Sequence, residues 1–357
     1  MPHLEESARL TVSRVGAGLP AICATAGTVT VVSRRCTPGA CRRRGRHLSG
    51  VFIVLARFLR LFPIGLAILA LWIGGAGGLG GVLSLQLVVL LIGLALALSL
   101  GMLTPGFLLA WWINRRDPAP RAGAGIWLKA FAQELSSALI VFGWWQAFRV
   151  RRIADNQTPA HPELRGVVLL HGFVCNRGLW TRWMRDLTAE GRPFVALNLE
   201  PVFGSIDGYA QQVDDAVRQM TLITGLAPVL VCHSMGGLAA RACLRAMASE
   251  APTRVHQVIT LGTPHRGTWL GRISPVLNGR QMRLGSDWIR RLPPQVARPD
   301  LARLFVCWYS NCDNIVFPAS TATLSGADNR LAAGLGHLQM ALDDGLRRDV
   351  LAHIRSL

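Results

Sequence analysis

The chain has 357 residues, 51% of them hydrophobic, and a formal charge of +18 from 38 Lys and Arg against 20 Asp and Glu. That composition is too apolar for a wholly soluble enzyme and calls for a segment in contact with lipid. The charge is almost entirely arginine, Lys129 being the only lysine; no nucleic-acid-binding motif accompanies it, so a general preference for arginine explains it better than a nucleic-acid partner. The eight cysteines, at 23, 36, 41, 175, 232, 243, 307 and 312, form neither a double pair at zinc spacing nor a disulfide framework, and read as reduced thiols.

Residues 1–50 have no sustained periodicity and end in the basic cluster Arg42-Arg-Arg-Gly-Arg-His47. They read as a basic, disordered tail, or as a polybasic segment held against an anionic membrane face. Between Arg60 and Arg115 there is no Asp, Glu, Lys, Arg or His. As one helix this stretch would reach about 80 Å, far beyond a hydrocarbon core of about 30 Å, so it must fold back. The glycine run Gly74-Gly-Ala-Gly-Gly-Leu-Gly-Gly81 is the hinge, which predicts a membrane hairpin within 51–113, with helices near 55–78 and 84–106. Arg57 and Arg60 precede the hairpin and Arg115, Arg116 and Arg121 follow it, placing both ends in the cytoplasm.

A further helix is expected over 126–149, within a juxtamembrane region spanning 114–157. Trp127, Phe131, Leu135, Ala138, Leu139, Phe142 and Trp145 recur on one face, with Lys129, Gln133, Ser136 and Ser137 opposite, the pattern of a helix lying in the interface plane. A third membrane crossing is the competing reading, and it would move everything downstream to the other side. From 158 to 357 the composition becomes that of a soluble domain. Strands are expected at Gly166–Leu170, Phe194–Leu199, Pro228–Val231, Val255–Leu261 and Leu304–Tyr309, with a weaker one near Thr321–Leu331. They alternate with helices at Trp180–Glu190, Ile206–Ile223, Leu238–Ala248 and Leu338–Ile354. Alternation of this kind predicts an α/β fold with a mostly parallel sheet covered by helices on both faces. Residues 267–303 fit no strand and read as a cap or lid.

One turn in this domain carries chemistry. The β-branched run ending at Val231 stops at Cys232-His-Ser-Met-Gly-Gly237, and an Ala- and Leu-rich helix follows. Strand, sharp turn and helix with a serine at the apex is the arrangement of a nucleophile elbow, here with Cys232 where the first glycine of G-x-S-x-G is commonest.

Four motifs make the domain resemble the small bacterial lipases of the α/β-hydrolase superfamily and their relatives among membrane-bound lipid deacylases. They are Leu169-Leu-His-Gly-Phe173, His233-Ser-Met-Gly-Gly237, Leu261-Gly-Thr-Pro-His-Arg-Gly267, and Tyr309-Ser-Asn-Cys-Asp-Asn-Ile-Val316 followed by Gly334-Leu-Gly-His337. The resemblance covers most of 165–355 and implies the α/β-hydrolase fold. It implies Ser234 as nucleophile, His337 as its base and Asp313 as the acid orienting that base, in the chain order this fold uses. Asp328, Asp343 and Asp344 are alternative acids. The backbone N–H groups of Phe173 and Met235 are the expected oxyanion donors.

His171 and His233 are expected to satisfy local hydrogen bonds, and His265 to belong to a structural loop. No oxygen-ligand cluster stands near His337, so neither a metal nor another cofactor is expected. The expected activity is hydrolysis of carboxylic esters, with lipid esters as the substrate class and the bilayer as partner. Acyl transfer or thioester cleavage on the same residues, or a non-catalytic scaffold or transport role, are the alternatives. Oligomeric state is not legible in the sequence.

Overall fold

The computed structural model describes residues 80–293 and 299–357, together with the isolated positions 24–25, 28–29, 65 and 68. The chain divides into two compact units, Met1–Val51 and Phe52–Leu357. In the first, an antiparallel pair joins Ala24–Thr25 to Thr28–Val29. The rest of the expected basic tail and most of the expected helix at 55–78 lie outside the described residues.

The second unit is organised by a six-stranded sheet: β1 (Val167–Leu170), β2 (Phe194–Ala196), β3 (Val229–His233), β4 (Gln257–Leu261), β5 (Phe305–Tyr309) and β6 (Asp328–Leu331), in the order β2-β1-β3-β4-β5-β6. Every neighbouring pair is parallel. The central strands are short, branched and apolar because they are buried on both faces, and the two-residue period divides them cleanly. Val168, Leu170, Leu230, Cys232, Val258 and Phe305 pack on one side beneath α4 (Ala210–Thr224) and α5 (Met235–Met247). Val167, Leu169, Val229, Val231, Ile259 and Val306 pack on the other beneath α3 (Thr181–Ala189) and α6 (Asp344–Arg355). The parallel, helix-covered α/β architecture expected from the alternating pattern is therefore present, as the fold implied by the resemblance requires.

Helix boundaries follow local chemistry. α4 ends at Gly225, whose φ of 70° closes the last turn without a Cβ penalty. The single helix expected over 338–354 is broken: Asp343 adopts extended backbone and its side chain accepts from the Leu346 N–H at 2.8 Å, so Gln339–Leu342 stands apart and Asp343 caps α6. Residues 267–293 and 299–303 contain short helical turns and no strand of the sheet. Two side chains tie this region down. Asp207 accepts from Trp288 Nε1 at 2.8 Å and from Gln281 Nε2 at 3.3 Å, and the buried Arg241 guanidinium donates to the carbonyls of His265, Leu292 and Pro293.

N-terminal to the sheet stand α1 (Gly80–Asn114) and α2 (Ala124–Ile140), the latter continuing through a π-helical turn, Val141–Trp145, to Gln146–Phe148. α1 runs beyond the expected 84–106 at both ends. Among the described residues, Leu96–Asn114 and Ala124–Phe148 are long and apolar enough to cross a membrane. α1 exposes Leu96, Leu98, Met102 and Leu108 while Phe107 and Ala110 are covered.

α2 differs from its expected orientation. The stripe it buries is Trp127, Ala130, Glu134, Ser137, Val141 and Trp145, and Leu128, Leu139 and Trp144 are exposed. The hydrophobic pattern pointed to a different face because α2 is apolar on two sides. The side bearing Val141 and Trp145 joins the sheet core beneath α3, and a buried carboxylate lies within the same stripe.

Trp183 is fully buried, stands edge-on to Trp180 at 5.4 Å between ring centroids, and donates its indole N–H to the Ala341 carbonyl at 2.7 Å. It joins α3 to the segment that follows His337. Trp183→Ala is expected to lower unfolding free energy by about 3–5 kcal/mol, measured by denaturant or thermal unfolding of the detergent-solubilised chain.

Candidate active site

Three loops at the carboxyl ends of β3, β5 and β6 meet beside β4. Ser234 follows β3 directly, with φ 54° and ψ −125°, a conformation that L-residues reach only under strain. The strain is held by hydrogen bonds at both of its backbone groups. Its N–H donates to the Leu261 carbonyl at 2.9 Å, and its carbonyl accepts from Thr263 Oγ1 at 2.8 Å and from the Gly237 N–H at 3.1 Å.

The small residues around this turn are demanded by close approach. A Cβ at Gly236 would run into the backbone carbonyl of Leu170, and one at Gly237 into Thr263. Gly172, in the loop after β1, would meet Ser234 Cβ at 2.8 Å. Cys232 is fully buried in the core, and burial pushes its thiol well above the ordinary range, so it fills the place of the first glycine as a small neutral side chain.

Asp313 follows β5 and His337 follows β6. His337 Nδ1–H donates to Asp313 Oδ2 at 2.8 Å, and both residues are buried. The second Asp313 oxygen, Oδ1, accepts from the N–H groups of Ile315 and Val316, each at 2.8 Å, which fixes the carboxylate in its loop. Gly262, with φ 59°, leaves the space the pair needs: a Cβ there would lie 3.0 Å from Asp313 Oδ2 and 3.4 Å from His337 Nδ1. Gly262 directly follows Leu261, the residue that accepts the Ser234 N–H, so serine, acid and imidazole are gathered at one strand end.

The other candidate acids are engaged elsewhere. Asp328 pairs with Arg330 at 2.6 Å, Asp344 with Arg182 at 2.9 Å, and Asp343 caps α6.

The His337 backbone is held as tightly as its ring. Its N–H donates to Asn314 Oδ1 at 3.1 Å and its carbonyl accepts from His233 Nε2 at 2.9 Å. The next two N–H groups, of Leu338 and Gln339, donate to Glu134 Oε1 at 2.8 Å and Glu134 Oε2 at 3.0 Å. Asn314 and Glu134 were not among the residues the sequence suggested. Asn314 adjoins the acid within a quoted motif. Glu134 lies about 200 positions from its partners, and its one sequence signal is that it is the only acidic residue between Asp117 and Asp155.

Among the buried histidines, direction of titration separates the base candidate from the rest. Burial lowers His171 to about 4 and His233 to about 3, and drives His265 well below its ordinary value. Burial acts the same way on His337, but the Asp313 carboxylate outweighs it and Glu134 adds to that, so its net shift is upward. Neutral His171 donates from Nδ1 to the Gly172 carbonyl at 2.8 Å and accepts the Leu199 N–H on Nε2 at 2.9 Å, the local role expected of it.

Phe173 lies just beyond Gly172, stacked edge-on with Phe203 at 5.9 Å. Met235 opens α5, where a first-turn N–H has no helical acceptor. Asn278, in the region expected to form the cap, stands 3.7 Å from Met235 Sδ and donates to the Val202 carbonyl at 2.8 Å, so that region reaches the serine turn. Among the described residues no cluster of metal-ligating side chains is present, and the five described cysteines are free buried thiols.

A six-stranded parallel sheet with serine, aspartate and histidine in the loops after β3, β5 and β6 defines a hydrolase-like α/β protein. The model of the alpha/beta hydrolase family matches residues 167–354, more than half of the chain, and the chain belongs to that family. Over 112 residues it is 36% identical to triacylglycerol lipases of Pseudarthrobacter phenanthrenivorans and Burkholderia plantarii. That stretch is 29% of this chain and 34% and 30% of theirs, so the chain spans about a third of those curated relatives. Of solved structures, the mature form of the Bacillus licheniformis lipase BlEst2 aligns with a TM-score of 0.47 at 16% identity, covering 56% of this chain and 96% of that one.

Gly236→Ala forces a methyl group against the Leu170 carbonyl, where neither backbone can yield. It is expected to cost about 1–3 kcal/mol or more, read as a lowered thermal midpoint.

Proposed function

We propose that the protein is a membrane-anchored serine hydrolase that cleaves carboxylic esters, with lipid esters as its substrate class. The observation carrying this reading is the 2.8 Å bond from His337 Nδ1 to Asp313 beside a strained serine turn. With Nδ1–H committed to the carboxylate, His337 Nε2 is the nitrogen that takes the Ser234 hydroxyl proton as Oγ attacks the ester carbonyl. The Phe173 and Met235 N–H groups receive the negative charge of the tetrahedral intermediate. Collapse expels the alcohol, which takes its proton from His337, and leaves an acyl-enzyme on Ser234. Water then attacks, giving its proton to Nε2; on collapse Ser234 recovers a proton from His337 and the carboxylic acid departs. Neither metal nor cofactor enters these steps.

The lipid part of the proposal has its own support: the exposed apolar face of α1, the arginines flanking the uncharged stretch, and the likeness of one stretch to triacylglycerol lipases. We place the catalytic domain on the cytoplasmic side of the inner membrane, with α2 lying between bilayer and domain and the 267–303 region acting as the cap over Ser234.

A fluorophosphonate probe is expected to label the wild-type chain and not Ser234→Ala; equal labelling of the two would remove the nucleophile assignment. Hydrolysis of nitrophenyl esters should favour medium or long acyl chains, and a sharp optimum at acetate would argue against lipid esters. The pH profile carries a sign of its own. His337 must be neutral to accept the serine proton, and its pKa is raised above 6.5. The acid limb of kcat/KM should therefore have its midpoint above 6.5, and Asp313→Asn should both depress the rate and shift that limb downward.

A further inference from the structure

We infer that Glu134, on the membrane-proximal helix α2, is a positioning residue for the catalytic base, so that the active site is completed from outside the hydrolase domain. The inference rests on the triad reading above and deepens it. Four backbone groups of the segment carrying the His337 ring are held by side chains: its own N–H and carbonyl and the two N–H groups that follow. Asn314 and His233, both from the family-matched region 167–354, take the first two. Glu134, from outside that region, takes the other two, one on each oxygen.

The contact is built from both sides. Gly336, directly before the base, would carry a Cβ only 2.5 Å from Glu134 Oε2 and 2.8 Å from Glu134 Cβ, so glycine at this position is what admits the carboxylate. One helical turn further along α2, Ser137 Oγ donates to Gln339 Oε1 at 2.6 Å, extending the seam. Glu134 is itself almost wholly buried, with no arginine or lysine partner among the described ion pairs. A buried carboxylate without a cationic side chain is costly unless hydrogen bonds or a nearby positive charge compensate it. The two N–H groups supply the hydrogen bonds, but burial outweighs them and raises Glu134 to about 7, so the carboxylate is fully charged only above that pH. The imidazolium that forms on His337 during the reaction supplies the charge, and the presence of Glu134 already favours protonation of that ring. Glu134 thereby fixes the loop that aims Nε2 at Ser234 and stabilises the charged state the base passes through.

The test uses the full chain in detergent, with nitrophenyl ester turnover, fluorophosphonate labelling rate and thermal midpoint measured together. Glu134→Gln preserves shape and one acceptor oxygen, but turns an amide N–H toward a backbone N–H and removes the charge. It is expected to lower kcat by ~100-fold, the scale of a slightly misplaced catalytic group. KM should stay within about twofold, and the acid limb of kcat/KM should move to lower pH because less negative charge holds the His337 proton. Gly336→Ala should reproduce the loss of kcat by displacing the carboxylate.

Wild-type turnover in Glu134→Gln would overturn the inference. So would a loss of activity that only tracks the loss of folded protein, with the acid limb unmoved. Ser234→Ala separates the two levels: if it labelled as wild type does, the triad reading would fall first, whereas an inert Ser234→Ala beside a fully active Glu134→Gln would overturn the role of Glu134 alone.

Discussion

Close backbone contact between the turn after β3 and the loop after β1 is the constraint on which the site depends. The Leu170 carbonyl occupies the space any side chain at 236 would need, and a Cβ on Gly172 would lie 2.8 Å from that of Ser234. Between these two loops Ser234 is held at positive φ, at a cost of about 1–3 kcal/mol. The sheet supplies the compensation. Leu261 at the end of β4 accepts the Ser234 N–H, and Thr263 just beyond it donates to the Ser234 carbonyl. Because β3 and β4 are paired in register through His233 and Leu261, the strain is anchored to the most completely buried part of the molecule.

The same strand end then organises the electrostatics. Gly262 leaves room for the Asp313–His337 pair, and the burial that neutralises His171, His233 and His265 also surrounds His337. One buried carboxylate at 2.8 Å reverses the outcome for a single ring. The neutral histidines remain useful as fixed donors and acceptors, and His233 in particular reaches across to hold the His337 carbonyl. Of the four buried rings, His337 alone is shifted toward holding a proton.

What the sequence makes legible follows the range of the interactions involved. Strand positions, the elbow and the order of Ser234, Asp313 and His337 are visible because each depends on local pattern: branched apolar runs, tight small-residue turns, loops after strands. The structure brings Asp313 and His337 together and sets both beside the strand end that holds Ser234. The break at Asp343 was not legible as a helix end, since one aspartate inside an apolar-periodic stretch looks like a surface position until its side chain is seen capping α6. The orientation of α2 was missed for a different reason. With apolar side chains on two sides, periodicity cannot say which side meets protein, and Ser137, assigned to the polar face, is buried against Gln339. Glu134 is legible only as an oddity, an isolated acid in an apolar helix, because its partners are backbone groups two hundred residues away.

Composition places a border near residue 158, where a soluble domain begins, but the packing does not respect it. Val141 and Trp145 are part of the core beneath α3, and Gln146 accepts from Asn176 Nδ2 through its carbonyl at 3.0 Å. A fragment starting at the compositional border would expose that side of the core to solvent and leave the amides of Leu338 and Gln339 without acceptors. The packing reaches further back still: Phe107 and Ala110 cluster with Cys312 and Phe317, and Asn114 and Asp117 accept from the Ala319 and Ser320 N–H groups, so the end of α1 belongs to the same body. Any piece that keeps this core closed also carries the exposed Leu128, Leu139 and Trp144 of α2, because one surface of that helix is uncovered while the other completes the inside.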